Sequence, residues 1–459
     1  MIVEVIGKLT FRGGAHPPDK KELTCNRATK PGPAPVQAAI MLSQHIGAPC
    51  EPVVKKGDEV EAGQVVGNSD SFVSAPVHSP FSGKVKEIAL RSHTVLGRSM
   101  AVVVERDSED TKIKEPVAEA FSKDFNEEKY TSEQICEAVR KAGIVGMGGA
   151  GFPTRVKIEP DPRMPKDVII VNACECEPYI TCDYRVMLEW TYQVVAGIKL
   201  ARKASGCSHV YIGIEDNKPK ALEVMAAALR DAGESDGIKV VKVKTKYPQG
   251  GERQLIKSVL GKNVPTGGIP PMIGIIVLNV ATTAAIAEAV VLDQPLTHRV
   301  VTVTGEAIAE PGNFYVSIGT PVEDLIEFCG GVTEKSAKVV MGGPMMGIAI
   351  ADMKTPITKT TGSITVLTAE QIGKAKFEKR QTACIRCGRC LQVCPEKLNP
   401  TKIAHAVKSS LLDVAEDYYI SACMECGCCS YVCPANIELT GLIKTGKIYL
   451  ARQRKKMPQ

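Results

Sequence analysis

Short apolar runs broken by glycine turns make up the first third of the chain, and runs of helical period enter only after residue 130. Between residues 49 and 104 the stretches 51–56, 64–68, 73–77 and 84–90 read as strands, with Gly57, Gly63, Gly67 and Gly83 at turn spacing. Residues 107–129 are charge-rich and read as a linker. Thr131 then stands as a helix cap, with Gln134 at the third helical position and Ile135, Ala138, Val139 and Ala142 at helical spacing. Up to residue 298 the pattern alternates. Apolar runs of buried-strand type (167–172, 210–214, 239–243, 273–280) are interleaved with helices (185–201, 219–232, 252–260, 282–291). That order predicts a parallel sheet covered by helices. A further strand (RVVTVTG) leads to Thr320-Pro321-Val322-Glu323, a capped helix start with proline in its first turn, and then to a glycine-rich GGP at 342–344. No stretch approaches the roughly 18 consecutive apolar residues of a membrane helix, and the N-terminus lacks the basic run and apolar core of a signal peptide.

Composition adds two things to this picture. At 459 residues with 44% hydrophobic and 24% charged side chains, the chain is long enough for several globular domains, so disorder is excluded as the default. The net charge of +6 is uneven: residues 374–459 carry +8, leaving −2 for the rest. Cations that offset anionic metal clusters, or that dock an acidic partner, both account for a basic tail.

Seventeen cysteines would be a disulfide framework only in a small secreted chain. Here eight of them form two spaced runs. The first is Cys384-x-x-Cys387-x-x-Cys390-x-x-x-Cys394-Pro395, and the second is Cys423-x-x-Cys426-x-x-Cys429-x-x-x-Cys433-Pro434. Zinc sites use pairs, not quartets ending in Cys-Pro; this is the bacterial two-cluster ferredoxin run, in which the fourth thiolate crosses to the other cluster. The spacing therefore assigns Cys384, Cys387, Cys390 and Cys433 to one 4Fe–4S cluster, and Cys423, Cys426, Cys429 and Cys394 to a second. Cys428 falls out of register and reads as a spare buried thiol. Between the runs Ile403, Val407, Leu411 and Val414 have helical spacing, so a helical ferredoxin-type domain is expected.

Three loops surround the predicted parallel sheet. The first, Gly146-Met147-Gly148-Gly149-Ala150-Gly151-Phe152-Pro153-Thr154, has Lys157 three residues beyond it. Glycines at this density let backbone N–H groups approach a phosphate, and the lysine adds a point charge. The second, Asn172-Ala173-Cys174-Glu175-Cys176-Glu177-Pro178, follows a strand, the end at which open α/β sheets bind ligands. The third is Tyr247-Pro248-Gln249-Gly250-Gly251-Glu252, and Asn279-Val280-Ala281-Thr282 closes the last strand. In that order these segments resemble the flavin subunit of complex I and related NADH dehydrogenases. The resemblance implies non-covalent FMN and NADH stacked in one site. By it Gly146, Gly148, Gly149, Lys157, Asn279 and Thr282 hold the FMN phosphate, while Asn172, Glu175 and Glu177 contact the flavin and its ribityl chain. Phe152 and Glu252 face NADH. Complex I subunits have Asp where this chain has Cys174, and Arg where it has Met147.

The segment PVVKKGDEVEAGQVVGNSD…SAPVHSPFSGKVKEI resembles barrel-sandwich modules that carry biotin or lipoate, but its tip, Asp70-Ser71-Phe72-Val73-Ser74, holds no lysine to modify. Residues 299–350 resemble the β-grasp (SLBB-like) module beside the nucleotide domain of complex I. With GGAHPPDKK near the start, MGGPMMG at 341–347 and the double cysteine run, the whole order resembles the C subunit family of the Rnf complexes.

The expected fold is multidomain α/β, with these divisions: an N-terminal segment with the barrel-sandwich module (1–106), a linker (107–130), a parallel FMN/NADH-binding domain (131–298), the β-grasp module (299–350), a linker (351–374), a helical two-cluster domain (375–450) and a basic tail (451–459). The resemblance implies a peripheral subunit at the cytoplasmic face of the cell membrane. It would partner ferredoxin-like and membrane subunits and pass electrons between NADH, FMN and two 4Fe–4S clusters in a ferredoxin:NAD+ oxidoreductase coupled to Na+ or H+ movement. Two rivals stay open on sequence: a flavin subunit of a soluble bifurcating dehydrogenase or hydrogenase, and a cluster-carrying scaffold without an NADH site.

Overall fold

The structure, a computed structural model, describes residues 7–110, 114–234, 236–372 and 381–456. In the barrel-sandwich module a four-stranded antiparallel sheet runs in the order Gln37–Met41, Gly97–Arg106, Gly83–His93, Glu59–Val60, and a three-stranded one joins Glu51–Pro52, Val65–Asn68 and Val77–His78. Ile40, Val66, Val77, Val85, Val102 and Val104 fill the space between them. The 107–130 stretch is not a free linker. It contains the 3-10 turns Ala118–Ala120 and Glu127–Lys129, and buries Phe121 and Glu127; the Glu127 carboxylate meets Lys199 at 2.9 Å. A charge-rich sequence packs here because its carboxylate finds a partner in an adjacent helix.

Thr131 makes the expected capping box: its Oγ1 accepts the Gln134 N–H at 3.2 Å, and Gln134 Oε1 accepts the Thr131 N–H at 2.8 Å. Beyond it lies the parallel sheet, in the order Ile238–Val243, His209–Glu215, Val168–Ala173, Ile275–Asn279, with helices packed over it. The single helix expected over 185–201 is two, Cys182–Glu189 and Thr191–Ser205, broken at Trp190, whose ψ of 35° leaves the helical region.

Two boundaries differ from the sequence division. The β-grasp sheet has six strands, in the order Thr29–Pro31, Gly312–Ser317, His298–Thr304, Ser363–Thr368, Ser336–Met341, Ile348–Ile350. Its fourth strand lies inside the stretch expected as a linker, and its edge strand comes from the N-terminal segment. Ser363–Thr368 is buried at every position, so it belongs to the core of this module. The helix near Thr320 is Val322–Phe328 without a side-chain cap, because Thr320 Oγ1 donates instead to the Ser317 carbonyl at 2.8 Å.

In the cluster domain the single helical run expected between the cysteine quartets is two helices, Pro400–Lys408 and Leu412–Asp417. The last helix, Leu439–Lys456, continues through what reads as a basic tail. No helix among the described residues is long and apolar enough to cross a membrane.

Two long-range ties hold the modules together. Lys359 is 1% exposed, and its Nζ donates to the carbonyls of Pro76 (2.6 Å) and Gly143 (2.7 Å), joining the barrel-sandwich module to the end of the first helix of the parallel domain. Near the N-terminus, the Gly14 N–H donates to the Val393 carbonyl at 2.7 Å, while Ala15 and Tyr247 exchange N–H···O bonds of 2.7 and 2.9 Å. Gly13 and Gly14 have φ of +85° and +83°, and a Cβ on either would strike backbone within 2.8 Å, so this seam admits only glycine.

Candidate functional site

Asn172 and Asn279 lie in register at the carboxyl ends of neighbouring strands. The sheet order reverses beside them: two strands are added on one side of Val168–Ala173 before Ile275–Asn279 is added on the other. A crevice at such a reversal is where open α/β sheets take ligands. Asn172 Nδ2 donates to the Gly250 carbonyl at 2.7 Å, tying the second loop to the third. Asn279 Oδ1 caps the following helix by accepting the N–H groups of Ala281 and Thr282 at 2.9 and 3.2 Å, and its Nδ2 donates to Asp183 Oδ2 at 2.6 Å.

The glycine loop folds over this end. The Gly146 N–H donates to the Phe152 carbonyl at 2.9 Å, and the Met147 N–H to Thr282 Oγ1 at 3.0 Å, so the Thr282 hydroxyl holds the loop itself. A Cβ on Gly148 would lie 2.6 Å from Asn279 Nδ2, which explains that glycine by packing. Gly149 is different: a Cβ there would meet no protein atom within 4 Å, and its backbone is not left-handed. No protein contact demands glycine at this position, whereas a phosphate lying on the backbone does. The loop therefore fits a flavin phosphate. Lys157 Nζ donates to the Val277 carbonyl at 3.0 Å and meets Glu252 Oε1 at 3.3 Å. This ion pair joins the side chains that the resemblance divides between FMN and NADH. Phe152 is half-buried beside the loop.

Glu175 and Glu177, which the resemblance sets against the flavin, each accept backbone N–H groups. Glu175 accepts the N–H groups of Asp183 (2.6 Å) and Tyr184 (3.3 Å), so its carboxylate closes the start of the helix Cys182–Glu189. Burial, with Asp183 adding to it against the pull of Lys21, pushes the Glu175 carboxyl up to about 7. Glu177 Oε1 accepts the N–H groups of Met345 and Met346 at 2.6 and 3.0 Å, pinning the MGGPMMG loop. Both carboxylates are held by backbone.

Sequence reasoning missed the ionic floor of this site. Lys21 is buried; it donates to the carbonyls of Glu177 (3.1 Å) and Ile180 (2.5 Å), and burial lowers its pKa. Glu215 and Lys218, also buried, pair at 2.9 Å. Burial opposes the lysine's charge, but Glu215 and Glu175 hold its pKa above the usual value. Asp183, whose carboxyl burial pushes up, sits at a helix start just past the second loop, and that position was its only legible signal. Of the scattered cysteines, Cys174 is fully buried with Sγ on the Gly213 carbonyl at 3.5 Å, while Cys182 Sγ lies close to the Glu175 and Asp183 carboxyls.

The cysteine runs fold as two copies offset by 39 positions. Arg386 and Glu425 both have positive φ (57° and 60°), as do Gly388 and Gly427 (75° and 81°), and Lys397 and Asn436 (57° and 52°). The Leu398 N–H donates to Cys394 Sγ at 3.3 Å and the Ile437 N–H to Cys433 Sγ at 3.5 Å. Cys390 lies against Thr401 Oγ1 and Cys429 against Thr440 Oγ1, at 2.9 and 3.4 Å. One cavity is lined by Cys394, Cys423, Cys426 and Cys429, the set that crossed ligation requires, with Cys428 beside them. Cys428 is fully buried, its Sγ 3.8 Å from the Tyr247 carbonyl. The Thr382 N–H donates to the Ala435 carbonyl at 3.0 Å, linking the start of the first run to the loop of Cys433; Cys387 is exposed. Four thiols converging on one cavity, with backbone N–H groups aimed at sulfur, suit a 4Fe–4S cluster.

Known families match the chain in this order: the RnfC barrel sandwich hybrid domain over residues 9–109, the Nuo51 FMN-binding domain over 139–288, the SLBB domain over 300–349 and the 4Fe-4S dicluster domain over 380–437. The C subunit of the proton-translocating ferredoxin:NAD(+) oxidoreductase complex of Clostridium ljungdahlii is 43% identical over 89% of this chain and 87% of its own length. The Na(+)-translocating counterpart of Acetobacterium woodii is 42% identical over 89% of each. The chain belongs to the family of Rnf C subunits. As a family member it carries the expected four modules in the expected order, and the flavin loops and the cysteine runs fall inside the FMN-binding and dicluster matches. Within this Rnf-type chain the two sites adjoin. Tyr247, Cys176, Met345, Met424, Cys426 and Cys428 pack in one cluster between the flavin loops and the Cys394 cavity.

Proposed function

We propose that this chain is the peripheral electron-transfer subunit of a membrane-bound ferredoxin:NAD+ oxidoreductase whose partners move Na+ or H+, attached at the cytoplasmic face of the membrane. The names of its relatives support that assembly, and the absence of a membrane-length helix among the described residues fits a peripheral place. FMN bound in the crevice supplies the change from a two-electron hydride donor to one-electron iron–sulfur acceptors. Gly149 and the neighbouring backbone, with Lys157, would receive its phosphate; Asn172 and Asn279 shape the crevice floor; Glu252 and Phe152 stand on the side assigned to NADH. Cys394, Cys423, Cys426 and Cys429 would hold the cluster next to the flavin, and Cys384, Cys387, Cys390 and Cys433 the outer one, with Cys387 at the surface facing a partner.

The observation that carries this reading is the contact between the Cys394 cavity and the flavin loops. Reconstituted anaerobically, the isolated chain should hold one FMN and about eight iron and eight sulfide, and NADH should bleach first flavin and then cluster absorbance. A loaded chain whose flavin NADH does not reduce would sink the oxidoreductase reading and leave a scaffold.

A further inference from the structure

Two successive glycines, Gly250 and Gly251, lie where the flavin loops meet the cluster domain, and a sulfur side chain covers each. A Cβ on Gly250 would stand 3.3 Å from Cys176 Sγ, and one on Gly251 would stand 3.0 Å from the terminal methyl of Met424. Gly251 has φ −62°, which any residue adopts, so its backbone asks for no glycine. A side chain there would meet Gln254 Oε1 first, then the Met424 methyl, and the Pro248 carbonyl oxygen at 3.1 Å, so these three groups together cover the glycine. Met424 lies between Cys423 and Cys426 but at no ligand position. It reaches out of the cluster loop, over Gly251, into the packed group formed by Cys176, Tyr247, Met345 and Cys426. One polar tie runs beside it, from Gln254 Nε2 to Glu396 Oε1 at 2.7 Å. An unbranched, flexible thioether fills the irregular gap between the two loops.

We propose that Met424 is a positioning residue: seated over Gly251, it fixes the Cys423–Cys429 loop against the flavin loops and so sets the separation across which electrons pass. The inference rests on the reading given under Proposed function and adds a residue to it. Electron transfer slows steeply with distance, so a loop that drifts outward costs rate without touching either cofactor's own site. The step concerned is the loss of two electrons from the anionic reduced flavin that hydride transfer leaves, one to each 4Fe–4S cluster, with its one N5 proton released to solvent.

The test compares Met424→Ala and Met424→Leu with the parent chain, each loaded with FMN and iron–sulfur. Met424→Ala should keep its FMN and iron and its rate of flavin bleaching by NADH, yet lose cluster absorbance several-fold more slowly. Met424→Leu, which restores the bulk, should recover most of that rate. Independently of turnover, hydrogen exchange should rise in residues 246–252 and 423–429 of the Ala variant alone. Should Met424→Ala lose iron, Gln254→Ala, which removes the neighbouring tie from the flavin side and from outside the cluster cavity, should show the same split between flavin and cluster rates. Parent-like cluster reduction and exchange in iron-replete variants would overturn the proposal. A parent chain whose flavin NADH leaves oxidised would instead overturn the reading beneath it.

Discussion

Lys157 and Glu252 form a part-buried ion pair at the mouth of the crevice, so each governs what the other presents to a ligand. Removing the lysine takes away a phosphate partner, and Lys157→Ala is expected to weaken FMN binding by about 1.5–3 kcal/mol, the range for a charged hydrogen bond; fluorescence titration with FMN measures it. Glu252→Gln should leave FMN content intact and raise KM for NADH with kcat nearly constant, the pattern of lost uniform binding. A carboxylate on ribose hydroxyls also disfavours a 2′-phosphate, so the parent should prefer NADH to NADPH. Stopped-flow saturation curves for the two nucleotides decide both points. At this scale the place of Asn172 and Asn279 at the carboxyl ends of their strands was legible, because the apolar run before each marks the strand. Asp183, Lys21 and the Glu215–Lys218 pair were not, since each matters only through a partner that the fold supplies. Breaking that last pair from one side would strand a buried charge, at a cost of about 3–5 kcal/mol.

The repeated cysteine element makes a sharper claim than its motif. The two halves share positive-φ positions, sulfur-directed N–H groups and threonines beside Cys390 and Cys429, yet the cavity takes Cys394 from the first half, and Cys423, Cys426 and Cys429, with Cys428, from the second. Cys394→Ser should therefore lose the same electron paramagnetic resonance signal as Cys423→Ser, and keep the one that Cys384→Ser removes. A Cys394→Ser chain that matched Cys384→Ser would refute crossed ligation. The run spacing picked out Cys394, Cys423, Cys426 and Cys429, which line one cavity, because ferredoxin spacing is a geometric requirement. Helix lengths were less legible: the break at Trp190 and the split between Pro400–Lys408 and Leu412–Asp417 follow from tertiary packing, which periodicity does not encode.

At the scale of the whole molecule the module order was readable, and the seams were not. Thr29–Pro31 joins a sheet whose other strands lie far from it in sequence, so no local signal marked it; Ser363–Thr368 (SITVLT) did carry the β-branched signal of a strand but stood in a stretch read as a linker. Lys359 is the clearest case of a seam residue. Burial lowers its pKa to about 7, and two carbonyl acceptors match the two N–H groups of a neutral amine. Its folded pKa lies below the unfolded value of 10.5, so between about pH 7 and 10.5 the unfolded chain binds the extra proton and stability from this group rises with pH, by at most about 1.4 kcal/mol per pH unit. Below pH 7 the full cost of charging it, or of unfolding around it, is already present. Lys359→Met should flatten that slope in denaturant melts taken from pH 7 to 10, while a slope equal to the parent's would remove Lys359 as its source.

The bond from Gly14 to Val393 has a temporal consequence. During synthesis at roughly 5–20 residues per second, residue 393 emerges roughly 20–75 s after residue 14, and the edge strand Thr29–Pro31 likewise waits for Gly312–Ser317. Residues 14–31 are thus made long before the partners that fix their place. Until then the crevice and the loop that carries Val393 and Cys394 stand apart, open to whatever delivers iron and flavin.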